Sequence, residues 1–161
     1  MNIALIVGSL HILLLTFAPL FPVFFGKGLD FIYIYFFLLL YLHWTLLNGE
    51  CIVSLLVKKY LDPTYVTGSN PFLIPDISSL VSPALLTFLL PAFALLVLIS
   101  NFIVFKRNFG LLLTMILLLF LSFFIFNLRY QRMTFAYLFS RETLKLFVVA
   151  LLTYFVVQKL A

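Results

Sequence analysis

The sequence predicts an all-α, polytopic membrane helical bundle of about five transmembrane helices, and three observations carry that prediction. Of 161 residues, 65% are apolar and 9% are charged, whereas soluble domains run nearer half apolar and a quarter charged. The mean hydropathy is +1.26, far too apolar for a surface that must meet water. The apolar residues also lie in long blocks, and the prolines, glycines and charges gather between them, as expected of helices solvated by lipid. A chain of this length suits one integral-membrane domain over residues 1–161.

The first span is expected over residues 3–25. Gly8 and Ser9 would let a neighbouring backbone approach closely, and Pro19 and Pro22 would kink or end the helix. No basic n-region or clear cleavage site marks a signal peptide, so this segment reads as a retained span. Gly26-Lys27-Gly28 and Asp30 form a short turn. The second span is expected over residues 31–57, with Tyr33 and Tyr35 at its start and Lys58 and Lys59 as interface anchors at its end. That length, roughly 40 Å as a helix, exceeds the ~30 Å hydrocarbon core, so the helix would tilt or protrude. Residues 60–78 form the longest polar connector, rich in proline, with Asn70-Pro71 as a turn signal.

The third span is expected over residues 79–105, with Pro83 in its first turn and Pro91 kinking its interior beside Thr87. Lys106-Arg107-Asn108 reads as a tight hairpin leading to a fourth span over residues 109–128. Residues 129–141 form a basic-aromatic connector, with Arg129 and Arg132 as further interface anchors. Ser140 would cap the fifth span, residues 142–158, with Glu142 favourably placed against the helix dipole.

Five spans place Lys58, Lys59, Arg129, Arg132, Arg141 and Lys145 on one side and Lys27, Lys106, Arg107 and Lys159 on the other. That asymmetry predicts a multi-pass protein with a cytoplasmic N-terminus. The net charge of +5 is spread over connectors and helix ends, which leaves no continuous basic face for a nucleic acid. The single cysteine excludes an intrachain disulfide.

The segment from His43 to Gly68 concentrates the residues able to carry chemistry. On a helix turning ~100° per residue, His43, Leu47, Glu50 and Ser54 stack as one stripe, with Trp44 and Cys51 beside it. Ionisable groups at depth usually face the protein interior or water, so this half should turn inward. Counting ~1.5 Å per residue from either interface puts His11 and Glu50 at similar depth, with His43 roughly 10 Å deeper. His11 is therefore the expected partner of the Glu50 carboxylate, with Asn48 or Thr87 close by.

Several chemistries compete for this cluster of His11, His43, Asn48, Glu50, Cys51 and Thr87. A carboxylate with two histidines has the inventory of a proton or ion path, but five short spans without broken-helix symmetry suit a transporter poorly. The spacing matches no metal-ligand motif, and the histidines differ in depth; no metal, haem or other cofactor is predicted. Cys51 as nucleophile lacks a histidine at adjacent depth and a recognisable oxyanion loop. A polar knot that fixes the packing of the first two or three spans fits best.

Trp44, Asn48-Gly49-Glu50-Cys51-Ile52, Lys58-Lys59, Asp62-Pro63, Tyr65 and Gly68 together resemble a pattern in small multi-span membrane proteins encoded by large DNA viruses, with a fainter echo in small bacterial membrane proteins. The likeness covers about a sixth of the chain. It implies a helical multi-span fold and a membrane location, and it brings no activity. The expectation is a small integral membrane protein with a structural or interaction role, or accessory to a larger membrane complex, rather than an enzyme. Its partners would be the lipid bilayer and either other membrane subunits or further copies of itself. The alternative is a small transporter, channel or membrane enzyme using Glu50 with His11 or His43.

Overall fold

The computed structural model describes residues 3–130 and 134–160, and among these residues helix dominates and no strand occurs. The elements are α1 (Ile3–Phe25), a 3-10 turn (Gly26–Leu29), α2 (Asp30–Leu46), α3 (Ile52–Leu61), α4 (Pro75–Ser78), α5 (Pro83–Tyr130) and α6 (Phe135–Leu160). Two stretches, Leu5–Leu46 and Ala84–Leu128, are long and apolar enough to cross a membrane.

Helix boundaries differ from expectation at four places, each for a local reason. α1 runs through Pro19 and Pro22 to Phe25 without ending. The helix expected over residues 31–57 stops at Leu46 and resumes only at Ile52. Asn48 adopts φ 53 and Gly49 φ 85, and the Gly49 N–H donates to the Trp44 carbonyl at 2.7 Å. This 6→1 bond over a left-handed residue is the Schellman ending, for which glycine and asparagine are the residues that tolerate positive φ. The chain does not reverse at Lys106–Asn108, where Asn108 Nδ2 still donates to the Val104 carbonyl within the helix. It reverses at Gly110, with φ 80 and ψ 170, a backbone region essentially restricted to glycine. α6 begins at Phe135 rather than Glu142: the Thr134 hydroxyl accepts from the Tyr137 N–H at 3.4 Å, while Ser140 lies buried inside the helix and donates to the Tyr137 carbonyl.

Side-chain contacts give the directions of the rods. Asn101 meets Tyr41 and Arg107 meets Asp30, so the first arm of α5 (residues 83–109) runs antiparallel to α2. Phe109 packs on Phe155, Phe120 on Phe147 and Phe124 on Tyr137, so the second arm (residues 111–130) runs antiparallel to α6. Tyr35 against Phe155 and Asn48 against Tyr137 set α6 antiparallel to α2 as well. The core is the shared seam of α2, α5 and α6, and its aromatic rungs include Phe37, Tyr41, Phe105, Phe124 and Tyr137. Such rungs contribute through area and through tilted or edge-on ring pairs. At one end of this seam the Asp30 carboxylate is held by Arg107 and by Asn108 Nδ2 at 2.8 Å, which ties the first turn to the end of the first α5 arm.

A Gly110→Ala exchange should destabilise the fold by about 1–3 kcal/mol, because no space conflict exists at that position and the cost is purely conformational. Gly28→Ala, which also meets open space but at an ordinary φ, is the control. Thermal unfolding of the two variants in the same detergent should lower the midpoint for the first only.

Candidate active site

The reversal at residues 47–51 sends two consecutive side chains to different places. Cys51 has extended backbone, φ −74 and ψ 133, and is the N-cap of α3. Glu50 and Cys51 therefore diverge, as neighbouring residues of an extended chain do.

Glu50 is fully buried, and its Oε1 accepts from Lys58 Nζ at 3.3 Å and from the Tyr65 hydroxyl. Lys58 is itself only 3% exposed. Its ammonium also donates to Tyr65 Oη at 3.2 Å and to the Asn70 carbonyl at 2.6 Å. The Asn70 N–H donates back to Tyr65 Oη at 2.9 Å, so the polar connector is stapled onto the start and end of α3. One ammonium thus answers a buried carboxylate, a phenol and a backbone carbonyl.

Cys51 joins a second, separate cluster. Its sulfur lies 3.7 Å from His11 Nε2, and His11 Nδ1 lies 2.7 Å from Asp76 Oδ2. A carboxylate can only accept, so Nδ1 carries a proton toward Asp76, and Nε2 faces the thiol. His11 is 8% exposed and Asp76 is fully buried. Burial raises the Asp76 carboxyl, but the His11 hydrogen bond and the neighbouring Ser54 hydroxyl outweigh it and hold the group below its usual range. The approach of α4 to α1 depends on Gly8, where a Cβ would run into the Asp76 carbonyl; a small residue on one helix is what lets a second backbone come so near. Cys51 stands at the N-terminus of α3, and a helix N-terminus stabilises negative charge there. His43, half-buried at the end of α2, accepts the Ile52 N–H on Nε2 at 3.0 Å.

The structure thus brings His11 and Cys51 together and assigns Glu50 to other partners than expected. The expected pairing of His11 with Glu50 is replaced by His11 with Asp76 and Cys51, because the depth count assumed one straight helix through residues 47–51. Lys58, expected as an interface anchor, is instead the buried counter-ion of Glu50, while Lys59 is exposed. Asn48 Oδ1 accepts from the Tyr137 hydroxyl at 3.2 Å and from Arg141 Nη1 at 2.9 Å, fastening the reversal to α6. Thr87 is exposed on α5. The Arg129 side chain and Arg132 fall outside the described residues.

Asp76 and Tyr65 were missed because both lie in the connector that reads as headgroup-facing. For Tyr65 a signal existed: the quoted motif groups Glu50, Lys58 and Tyr65 in one stretch, and these three side chains meet. Asp76 carries no local signal, since its partner is 65 residues away. The ring of His11 separates Cys51 from Asp76 on its two opposite nitrogens, so the three donors do not converge on one point as metal ligands would. No family model matches the chain, and no curated protein or solved structure matches it.

Removing only the cation should be costly: Lys58→Met leaves Glu50 buried and unpaired and should destabilise by about 3–5 kcal/mol. Removing both charges as Glu50→Leu with Lys58→Met should cost less than Lys58→Met alone. Equilibrium unfolding of the two variants and the parent in detergent measures the difference directly.

Proposed function

We propose that the chain is a membrane-embedded thiol enzyme of the acyl-transfer class, in which Cys51 is the nucleophile, His11 the general base and Asp76 the group that orients the imidazole. The observation that carries this reading is that His11 bridges Cys51 and Asp76 through its two ring nitrogens, at 3.7 and 2.7 Å. Nucleophile, base and orienting carboxylate in that order are the parts an acyl transfer requires.

The steps follow from the geometry. His11 Nε2 takes the proton from Cys51 Sγ, and the Asp76 carboxylate stabilises the imidazolium that forms. The thiolate, at the N-terminus of α3, attacks an acyl carbonyl carbon. Collapse of the tetrahedral adduct expels the leaving group, which takes the proton from His11 Nε2. The S-acyl cysteine then passes its acyl group to water or another acceptor, with His11 again as base. Among the described residues the Cys51 N–H makes no hydrogen bond, which leaves it free to donate to the oxyanion.

The membrane setting is part of the same proposal. The two long apolar stretches each hold about twice the ~20 residues that a crossing needs, and each contains a reversal near its middle, at Gly26–Leu29 and at Gly110. α6 packs antiparallel along α2 and the second α5 arm and so shares their surroundings. On this reading the chain crosses five times, with the reversal at residues 47–51 and α3 following the second crossing. The resemblance to small multi-span membrane proteins supports this location, and the charge asymmetry of the connectors supports a cytoplasmic N-terminus.

A structural role, the expectation from the sequence, has its own support in the Glu50–Lys58–Tyr65 knot. The two roles separate by experiment. With the purified full chain in detergent, Cys51 should react with an activated ester such as p-nitrophenyl acetate, and His11→Gln and Asp76→Asn should slow it by about 10²–10⁴-fold when each is assayed below its own melting temperature. Equal rates in parent and His11→Gln would leave only the structural role. For topology, Lys27→Cys and Lys59→Cys, both at exposed positions and each placed in a Cys51→Ala background, should be labelled by an impermeant maleimide from opposite faces of sealed vesicles. Labelling from the same face would exclude the five-crossing arrangement.

A further inference from the structure

A groove of ≈ 530 Å³ runs between α1 and α3, with His11 in its lining. Val7, Leu10 and Leu14 form one wall, and Val53, Leu56 and Val57 the other. Tyr60 completes the lining, so among the described residues His11 and Tyr60 are the only ones at the groove with a polar side-chain group. Leu10, Leu14, Leu56 and Tyr60 are 46–68% exposed, so the groove is open along its side rather than at one mouth. On an apolar helix pair that side faces acyl chains, not water. Val53 is two residues beyond Cys51, and His11, which lines the groove, lies 3.7 Å from the sulfur through Nε2, so the nucleophile adjoins the groove.

We infer that the group transferred by this site is a long-chain fatty acyl group, delivered laterally with its hydrocarbon lying in the α1–α3 groove and its carbonyl at Cys51. The inference rests on the thiol-enzyme reading and names its substrate class. The competing occupant of such a groove is an apolar peptide segment. A peptide must be unwound at the bond to be cut, and each freed N–H and C=O needs a partner; leaving them unpaired in an apolar setting costs several kcal/mol. The groove supplies none apart from His11 and Tyr60. A hydrocarbon chain has no such requirement and gains from every methylene it buries.

The step balances with either of two acyl carriers. With an acyl thioester, the Cys51 thiolate forms the new carbon–sulfur bond, the carrier's carbon–sulfur bond breaks, and the carrier thiolate takes the proton from His11 Nε2 to leave as a thiol. With a phospholipid ester, the carbon–oxygen bond breaks instead and the lysolipid hydroxyl takes that proton. Both carriers share the chain that the groove recognises.

The test uses the full chain reconstituted in phosphatidylcholine vesicles and given alkyne-tagged palmitoyl-CoA, alkyne-tagged phosphatidylcholine or acetyl-CoA in separate arms. The expected result is hydroxylamine-labile labelling of Cys51 by a palmitoyl donor, absent in Cys51→Ala and strongly reduced in His11→Gln. Labelling from the CoA arm assigns a thioester carrier, and labelling from the phosphatidylcholine arm assigns a bilayer ester; either supports the inference. Leu10→Trp and Leu56→Trp, which fill the groove, should slow palmitoyl labelling at least about tenfold while sparing acetyl labelling. Leu119→Trp, exposed on α5, is the folding control. Acetyl labelling that depends on His11, without preference for palmitoyl or without sensitivity to the groove variants, would overturn the acyl-chain inference and leave the thiol reading standing. Failure of every donor, acetyl-CoA and p-nitrophenyl acetate included, would overturn both.

Discussion

The short reversal between Leu47 and Cys51 is the constraint on which the other features depend. Left-handed backbone at Asn48 and Gly49 ends α2 one residue past Leu46 and turns the chain before it can continue along the same axis. The turn is held from outside as well as from within, since the Asn48 side chain accepts from Tyr137 and Arg141 of α6. Had the helix continued, Glu50 and Cys51 would have projected at a fixed ~100° offset from one rod. Released from the helix, they part company, and two polar clusters form where one would have fitted.

The two clusters have different physical characters. Around Glu50, one ammonium answers a carboxylate, a phenol and a backbone carbonyl at once, and neither charge reaches the surface. Such a pair is better at fixing one packing arrangement than at adding net stability, because both ions have been taken out of water. It staples the connector over residues 62–74 onto α3 and so presents α4, with Asp76, to α1. Around Cys51 the contacts form a line rather than a web: carboxylate, imidazole, thiol. A line of this kind gives a proton one defined route, whereas the Glu50 knot locks its charges in place. The first cluster therefore positions the second.

The small residues do the work that lets these lines of contact form. Gly8 admits the Asp76 backbone against α1, and the same helix then carries His11 one turn further on, at the height where Asp76 and Cys51 flank it. Beside His11 the α1 wall of the groove is Val7, Leu10 and Leu14, which offer no hydrogen-bonding side chain.

What the sequence by itself determined is the element type: long blocks of apolar residues form helices that satisfy their own backbone, and two stretches are long and apolar enough to cross a membrane. It also marked the residues with chemistry in them, since His11, His43, Asn48, Glu50 and Cys51 all make polar contacts at or beside the site. The Asn48-Gly49 dipeptide is a turn signal as well, but the apolar pattern continues on both sides of it. Only the tertiary structure decided who meets whom. His11 pairs with a carboxylate 65 residues away, and Lys58 faces inward rather than to a headgroup. Depth along a helix is legible from sequence only while the helix is straight, and five residues of non-helical backbone were enough to exchange the partners of Glu50 and Cys51.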